Sequence, residues 1–315
     1  MHRRNFLKTA AATVALGTLS FTSTATAAPK KRKFTLDLRC GSIGVKANLQ
    51  QAIDYAHQFG FESVEPSAGA VAALSQAELD ELLARMKANN LVWGAAGLPV
   101  NFRADDAAFQ AGMKTFPDMA AKLQKAGITR MGTWLSPSSA DLTYVANFRQ
   151  HASRLREVCK VLGDHGLRFG MEYVGPKTSW TKLRYPFIHT MAETKDLIAE
   201  IGLDNVGFVL DSWHWYTSGD SLDDLLSLTN HDVIACDLND APAGIPVDEQ
   251  MDLSRELPMA TGVIDLKTFL GALVTIGYDG PVRAEPFNKP LNAMDNEEAL
   301  AATAKAMRKA FALVE

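Results

Sequence analysis

Beyond residue 33 the chain alternates between two periodicities. Short runs rich in apolar and β-forming residues recur at Phe34–Cys40, Glu62–Glu65, Leu91–Ala96, Ile128–Thr133, Arg168–Tyr173, Val206–Asp211, Val233–Asp237 and Pro281–Glu285. Stretches with helical spacing lie between and after them, at Gln50–Gln58, Gln76–Asn89, Ala107–Lys125, Asp141–Leu162, Met191–Ile201, Ser221–Leu228, Leu266–Ile276 and Asn296–Val314. Gly60, Gly127, Gly166 and Gly277 stand where a helix should stop before the next strand. Eight such strand–helix units predict a (β/α)8 barrel, an α/β fold forming one domain over 34–315. The competing architecture is an open doubly wound sheet. It calls for a G-x-G-x-x-G fingerprint near the first strand, which Gly41-Ser-Ile-Gly44 does not supply.

The first 27 residues belong to no such pattern. Arg3-Arg4-Asn5-Phe6-Leu7-Lys8, an apolar stretch from Thr9 to Phe21 and the small residues Ala25-Thr-Ala-Ala28 read as a secretory signal. The paired arginines resemble a twin-arginine export signal, which implies the export machinery as a partner and a periplasmic or secreted destination. The apolar run is too short to span a bilayer. Cleavage after Ala27 leaves 288 residues and removes three cations, moving the net charge from −4 to −7. Lys30-Lys-Arg-Lys33 then reads as a solvated tail within residues 28–33. A negative balance gives no reason to expect nucleic acid as a partner. The three cysteines, Cys40, Cys159 and Cys236, read as small apolar residues within the elements, not as a disulfide framework.

Two connections are too long for plain turns. Gly175–Thr190 follows the fifth predicted strand and 242–262 follows the seventh, both on the barrel face where active sites sit. Four consecutive strands end in an acid: Glu172, Asp211, Asp237 and Glu285. Alternation puts Gly170 with Glu172, and Gly207 and Val209 with Asp211, on the face opposite the bulky apolar residues. All four carboxylates therefore point into the barrel mouth, where they would repel one another. A divalent cation relieves that repulsion. His214, three residues after Asp211, can swing over the same mouth. Such a donor set suits Mn²⁺ or Mg²⁺ ahead of Zn²⁺ or Co²⁺, and no cysteine cluster offers a thiolate site. The alternative is that each acid merely caps the following helix.

The stretches Gly170-Met-Glu-Tyr173, Leu210-Asp-Ser-Trp-His214, Asp237-Leu-Asn-Asp-Ala-Pro242, Gly262-Val-Ile-Asp-Leu266 and Ala284-Glu-Pro-Phe-Asn288 resemble the xylose isomerase-like sugar isomerase/epimerase superfamily. The resemblance implies a TIM barrel with one divalent metal, held here by Glu172, Asp211, Asp237 and Glu285, with His214 near a carbohydrate substrate. It implies proton transfer beside a carbonyl by Glu172 and Glu285. The seventh strand departs from the family, which commonly places a His where this chain has Asp237. Export argues for a non-phosphorylated sugar. A keto-glycoside lyase or hydrolase is the nearest rival, ahead of a non-catalytic sugar-binding protein or an endonuclease IV-like hydrolase. A homo-oligomer is compatible with the sequence.

Further substrate contacts are expected from Glu65, at the end of the second strand, from Trp180, Arg184 and His189 in the long fifth connection, and from Arg255. The last of these resembles a substrate-contacting position of the family. Trp213 and Trp215 flank His214 as core or as sugar platform. His57, His151, His165 and His231 read as surface residues. Finally, Arg283 shares the inward face of its strand with Glu285, and its expected partner is Asp37 on the neighbouring first strand.

Overall fold

The computed structural model describes residues 31–315, so the expected signal segment 1–27 lies outside the described residues. Nine strands form one sheet: β1 (Thr35–Leu38), β2 (Ser63–Val64), β3 (Val92–Trp93), β4 (Ala96–Gly97), β5 (Arg130–Trp134), β6 (Arg168–Glu172), β7 (Val206–Asp211), β8 (Val233–Leu238) and β9 (Pro281–Ala284). Their spatial order is β3-β2-β1-β9-β8-β7-β6-β5-β4, with every pair parallel. The two ends of that order, β3 and β4, are separated only by Gly94 and Ala95. They are halves of one stave, so the sheet closes on itself as the expected eight-stave barrel. Gly94 stands in the break, where a Cβ would collide with the carboxylate of Asp37.

The helices cover the outside. The main ones are Leu49–Gln58, Gln76–Ala88, Asp106–Lys125, Tyr144–Asp164, Met191–Ile201, Leu266–Ile276 and Asn296–Phe311. Most begin where a side chain satisfies a free backbone N–H, as Asn48 and Ser75 do in reciprocal capping boxes. The Tyr144–Asp164 helix starts three residues later than the expected Asp141, because Thr143 is its cap. Leu36, Leu38, Phe169, Met171, Phe208 and Leu210 pack outward into the core beneath the helices. The apolar part of the barrel interior is the small group Ala95, Val209 and Ala235, beside the buried polar residues Asp37, Ser63 and Arg283. Gly132 and Gly170 leave the space that the Val209 side chain needs. The acids thus stand above a floor of small residues.

Three expectations change. The long 175–190 connection carries a short helix, Lys177–Trp180, and a two-residue strand, Tyr185–Pro186, paired antiparallel with Ser138–Ser139. Arg32 is not solvated tail: it donates two hydrogen bonds of 2.9 Å to Glu62 and one of 2.7 Å to Glu315. His151 is buried, not on the surface. It stands at i+4 from buried Asn147 and i−4 from Leu155, on the inward stripe of its helix. Burial pushes its pKa down to about 4, so the ring is neutral. The three cysteines are free, Cys159 and Cys236 buried and Cys40 half-buried. Among the described residues, no helix is long and apolar enough to cross a membrane.

Candidate active site

Glu172 ends β6, Asp211 ends β7, Asp237 lies in β8, and Glu285 follows β9; all four are buried. Asp211 and Asp237 are register partners, which brings their carboxylates to the same level of the barrel. Ligand atoms of Glu172, Asp211 and His214 lie within 4.8 Å of one another, and so do those of Glu172, Asp237 and Glu285. Asp211 also caps the short helix Ser212–Ser218, its Oδ1 accepting the Trp213 N–H at 2.7 Å. That helix carries His214 over the mouth, with Nε2 3.9 Å from carboxylate oxygens of both Glu172 and Asp211. Asn239 braces the group. Its amide donates to Asp211 Oδ1 at 3.0 Å, and its Oδ1 accepts the Glu285 N–H at 2.9 Å.

Three arginines enter among these acids. Arg283 points inward, as expected, but its hydrogen-bonding partner is Asp237 and not Asp37. Its Nε donates to Oδ1 at 2.5 Å and its Nη2 to Oδ2 at 3.1 Å. Both aspartates are register partners of Arg283, one on each side. Asp37 is left buried with neither carboxylate oxygen hydrogen-bonded. Arg39 donates to Glu285 at 2.6 Å and lies 3.3 Å from Glu65. Arg255 donates to Asp211 Oδ2 and to Asp252 Oδ1, each at 2.6 Å, and its Nη1 is 3.4 Å from Glu285 Oε2.

This arrangement sets the protonation. Burial raises the Glu172 pKa well above the usual carboxylate range, and repulsion from Glu285, Asp237 and Asp211 adds to it. Burial and the charge of Asp237 lift Glu285 to about 7. For Asp237 burial works upward, but the charge and hydrogen bonds of Arg283 outweigh it and hold the group below its ordinary value. His214 is pushed down by burial. Its Nδ1 accepts the Gly175 N–H at 3.2 Å, while Arg255 Nη2 stands 3.2 Å from Nε2. A neutral imidazole accepts at one nitrogen only. With Nδ1 held by the backbone, the side-chain contact with Arg255 is the mismatched one.

The donor set fits a divalent ion. Glu172 Oε1 is buried without a hydrogen-bond partner, and carboxylates plus one imidazole are suitable ligands for a hard or borderline cation. Asp237 has the weakest claim among the four acids, because both its oxygens already accept from Arg283. A cavity of about 220 Å³ opens above the acids, lined by Arg39, Glu65, Trp134, Glu172, Arg283 and Glu285 among others. Beyond Arg255 a larger cleft of about 940 Å³ runs between Met251, Leu253 and Phe287.

Glu65 therefore reaches the site. Trp180 and His189 stack on one another, ring centroids 4.7 Å apart, and neither lines the 220 Å³ cavity. Arg184 packs over Tyr185. Trp213 is core beneath Arg255, and Trp215 packs on Phe269. Sequence reasoning missed Asn239, Asp252 and Trp134. Asn239 was accessible, since it stands two residues after Asp237 and so shares its face.

Residues 53–310 match the family described as xylose isomerase-like TIM barrel, and residues 1–20 match the twin-arginine translocation signal sequence. Inosose isomerase of Bacillus licheniformis is 28% identical over 147 residues, 46% of this chain and 49% of that protein. The chain spans about half the length of the curated relatives it matches. A xylose isomerase domain protein from Alicyclobacillus acidocaldarius superposes with a TM-score of 0.77 at 29% identity, covering 91% of this chain and 99% of the other. The IOLI protein, solved with a zinc atom, gives a TM-score of 0.74 at 19% identity, covering 90% and 99%.

Proposed function

Because the chain belongs to the xylose isomerase-like TIM barrel family, we propose that it is a metal-dependent sugar isomerase or epimerase. Its substrate on this reading is a non-phosphorylated sugar met outside the cytoplasm, in the periplasm or beyond, as the twin-arginine signal suggests. The observation that carries the proposal is a pair of buried ligand clusters that share Glu172: Glu172 with Asp211 and His214, and Glu172 with Asp237 and Glu285. Glu172, Asp211 and Glu285 would hold the ion, with Asp237 contributing through whatever lone pairs Arg283 leaves. When bound, the ion supplies Lewis-acid polarisation of a substrate carbonyl.

The proton chemistry belongs to the chain. Glu172 and Glu285 come from staves separated by β7 and β8, so they approach a ligand from different sides. Both are buried carboxylates lining one cavity, within reach of a single bound ligand. One removes the proton beside the carbonyl and the other returns it. His214, its Nδ1 accepting the Gly175 N–H, would present its Nε2–H to a substrate oxygen. The cleft beyond Arg255 favours a second reading, elimination of a glycosidic substituent from the same intermediate, since it offers room for a leaving group.

Glu172→Gln and Glu285→Gln test the assignment. Each is expected to lower turnover by at least about 10²–10⁴-fold with an unchanged circular dichroism spectrum. Near-normal turnover in either variant removes that residue from the mechanism. A product lacking the substituent selects elimination over isomerisation.

A further inference from the structure

Arg103 differs from the arginines among the acids. It lies in the segment that follows β4, with its guanidinium carbon 4.3 Å from the ring centroid of Phe102 and 4.2 Å from that of Trp134. Its one side-chain hydrogen bond is from Nη2 to Thr133 Oγ1 at 3.2 Å, and its buried Nε has no acceptor. Arg39, Arg255 and Arg283 each pair with a carboxylate, whereas Arg103 meets none among the described residues. Burial with no anion nearby lowers its pKa to about 10. A desolvated guanidinium without a counter-charge is costly to maintain.

The position is nevertheless braced. Arg154 donates to the carbonyls of Phe102 at 2.9 Å and Ala104 at 2.6 Å, fixing the backbone on both sides of Arg103. The Phe102 ring packs edge-on against buried His151, with centroids 5.4 Å apart. Thr133 and Trp134, the residues Arg103 touches, line the same cavity as Glu172 and Glu285. Trp134 is the register partner of Glu172 and is half exposed. A line from the acids therefore runs from Glu172 across Trp134 to Arg103.

We propose that Arg103 recognises a carboxylate on the substrate, so that the substrate class is a sugar acid. The inference rests on the isomerase reading only in taking the ligand to be a sugar. An anionic ligand can enter an acid-rich mouth if its charge is held at the far end, and Arg103 holds it there across the indole. A guanidinium pairs with a carboxylate through two parallel hydrogen bonds, and Nη1, which is not buried and makes no hydrogen bond among the described residues, is free to make one of them. Trp134 meanwhile offers an apolar surface to the sugar ring.

Binding tests this without turnover. The full-length mature protein is titrated calorimetrically with a panel of hexuronates, the matching neutral hexoses and the hexose 6-phosphates. Hexuronates are expected to bind about 10- to 100-fold tighter than the hexoses. Arg103→Gln should abolish that preference and leave hexose affinity unchanged, and Arg103→Lys should restore part of it. Equal affinity for hexuronates and hexoses, equal weakening of both in Arg103→Gln, or a preference for the phosphates overturns the proposal. The two readings fail separately. A hexuronate bound through Arg103 with no solvent-proton exchange leaves Arg103 in place and removes the isomerase. Exchange on neutral sugars with no hexuronate preference does the reverse.

Discussion

Arg283 and Arg255 each hold a buried aspartate at the barrel mouth, Asp237 and Asp211, and these aspartates are register partners on adjacent strands. Arg283 is itself on a strand beside Asp237 and engages both carboxylate oxygens. Arg255 arrives from the long 242–262 connection. It divides its donors among Asp211, Asp252 and Glu285, and faces His214 where a donor is unwelcome. The sheet fixes the first pair, while only a loop fixes the second. Arg283 is therefore held by one strand neighbour, whereas Arg255, also buried, spreads its charge over three acids.

The sharpest way to break this comparison is Arg283→Met. It strands Asp237 as a buried, unpaired charge, and the expected loss is about 3–5 kcal/mol in urea unfolding. Asp237→Asn in the same chain should recover much of that loss. If the single variant is as stable as wild type, the pair is not structural.

Asp37 provides the next test, since it keeps a long-range attraction to Arg283 without a bond. Burial raises its pKa from 3.8 to about 6. A carboxyl raised in the folded state holds its proton more tightly there than when unfolded. Its contribution to stability is thus present below about pH 4 and lost as pH rises through about 6, a change of about 3 kcal/mol. Asp37→Asn should make the fall in stability between pH 4 and 6 shallower, leaving the slope that the raised Glu172 and Glu285 carboxyls contribute. An unchanged slope contradicts the assignment.

Arg255→Gln should cost about 2–3 kcal/mol of stability: Asp211 Oδ1 keeps the N–H groups of Trp213 and Asn239, but the buried Oδ2 loses its donor. It should also tighten Mn²⁺ binding several-fold in calorimetry, since a competing cation is gone. Weaker Mn²⁺ binding would make Arg255 a support of the ion site, not a competitor for it. The smallest effect belongs to His189→Ala. Its ring meets the Phe187 carbonyl and the Trp180 indole rather than the cavity, so kcat/KM should change by less than about threefold. A larger loss would return His189 to the substrate.

The barrel and the acid positions were legible because strand alternation and helical spacing are local signals that every stave repeats. Glu172, Asp211, Asp237 and Glu285 were expected at one mouth; ligand atoms of Glu172 lie within 4.8 Å of those of Asp211 and His214, and separately of those of Asp237 and Glu285. The partner of Arg283 was not legible. A stave in a closed barrel has two neighbours, each of which presents an aspartate at the level of Arg283, and strand register alone does not choose between them. The same limit hid the role of Arg255. Its position in a loop said nothing of its depth, and the bonds that bury it depend on Asp211, Asp252 and Glu285, which come from distant parts of the chain. His151 was misplaced because one imidazole on an apolar stripe looks polar in sequence, although burial makes it neutral in the fold. Arg103 gave no signal at all, since what distinguishes it is the lack of a partner.

Deuterium incorporation tests the central claim most directly. The metal-loaded protein is incubated in D₂O with a panel of ketoses, inososes and hexuronates that calorimetry shows to bind, and mass spectrometry counts the label. One deuterium beside the carbonyl is expected, lost in Glu172→Gln and after chelation and restored by added Mn²⁺ or Mg²⁺. Tight binding of these sugars with no deuterium incorporated would contradict the account.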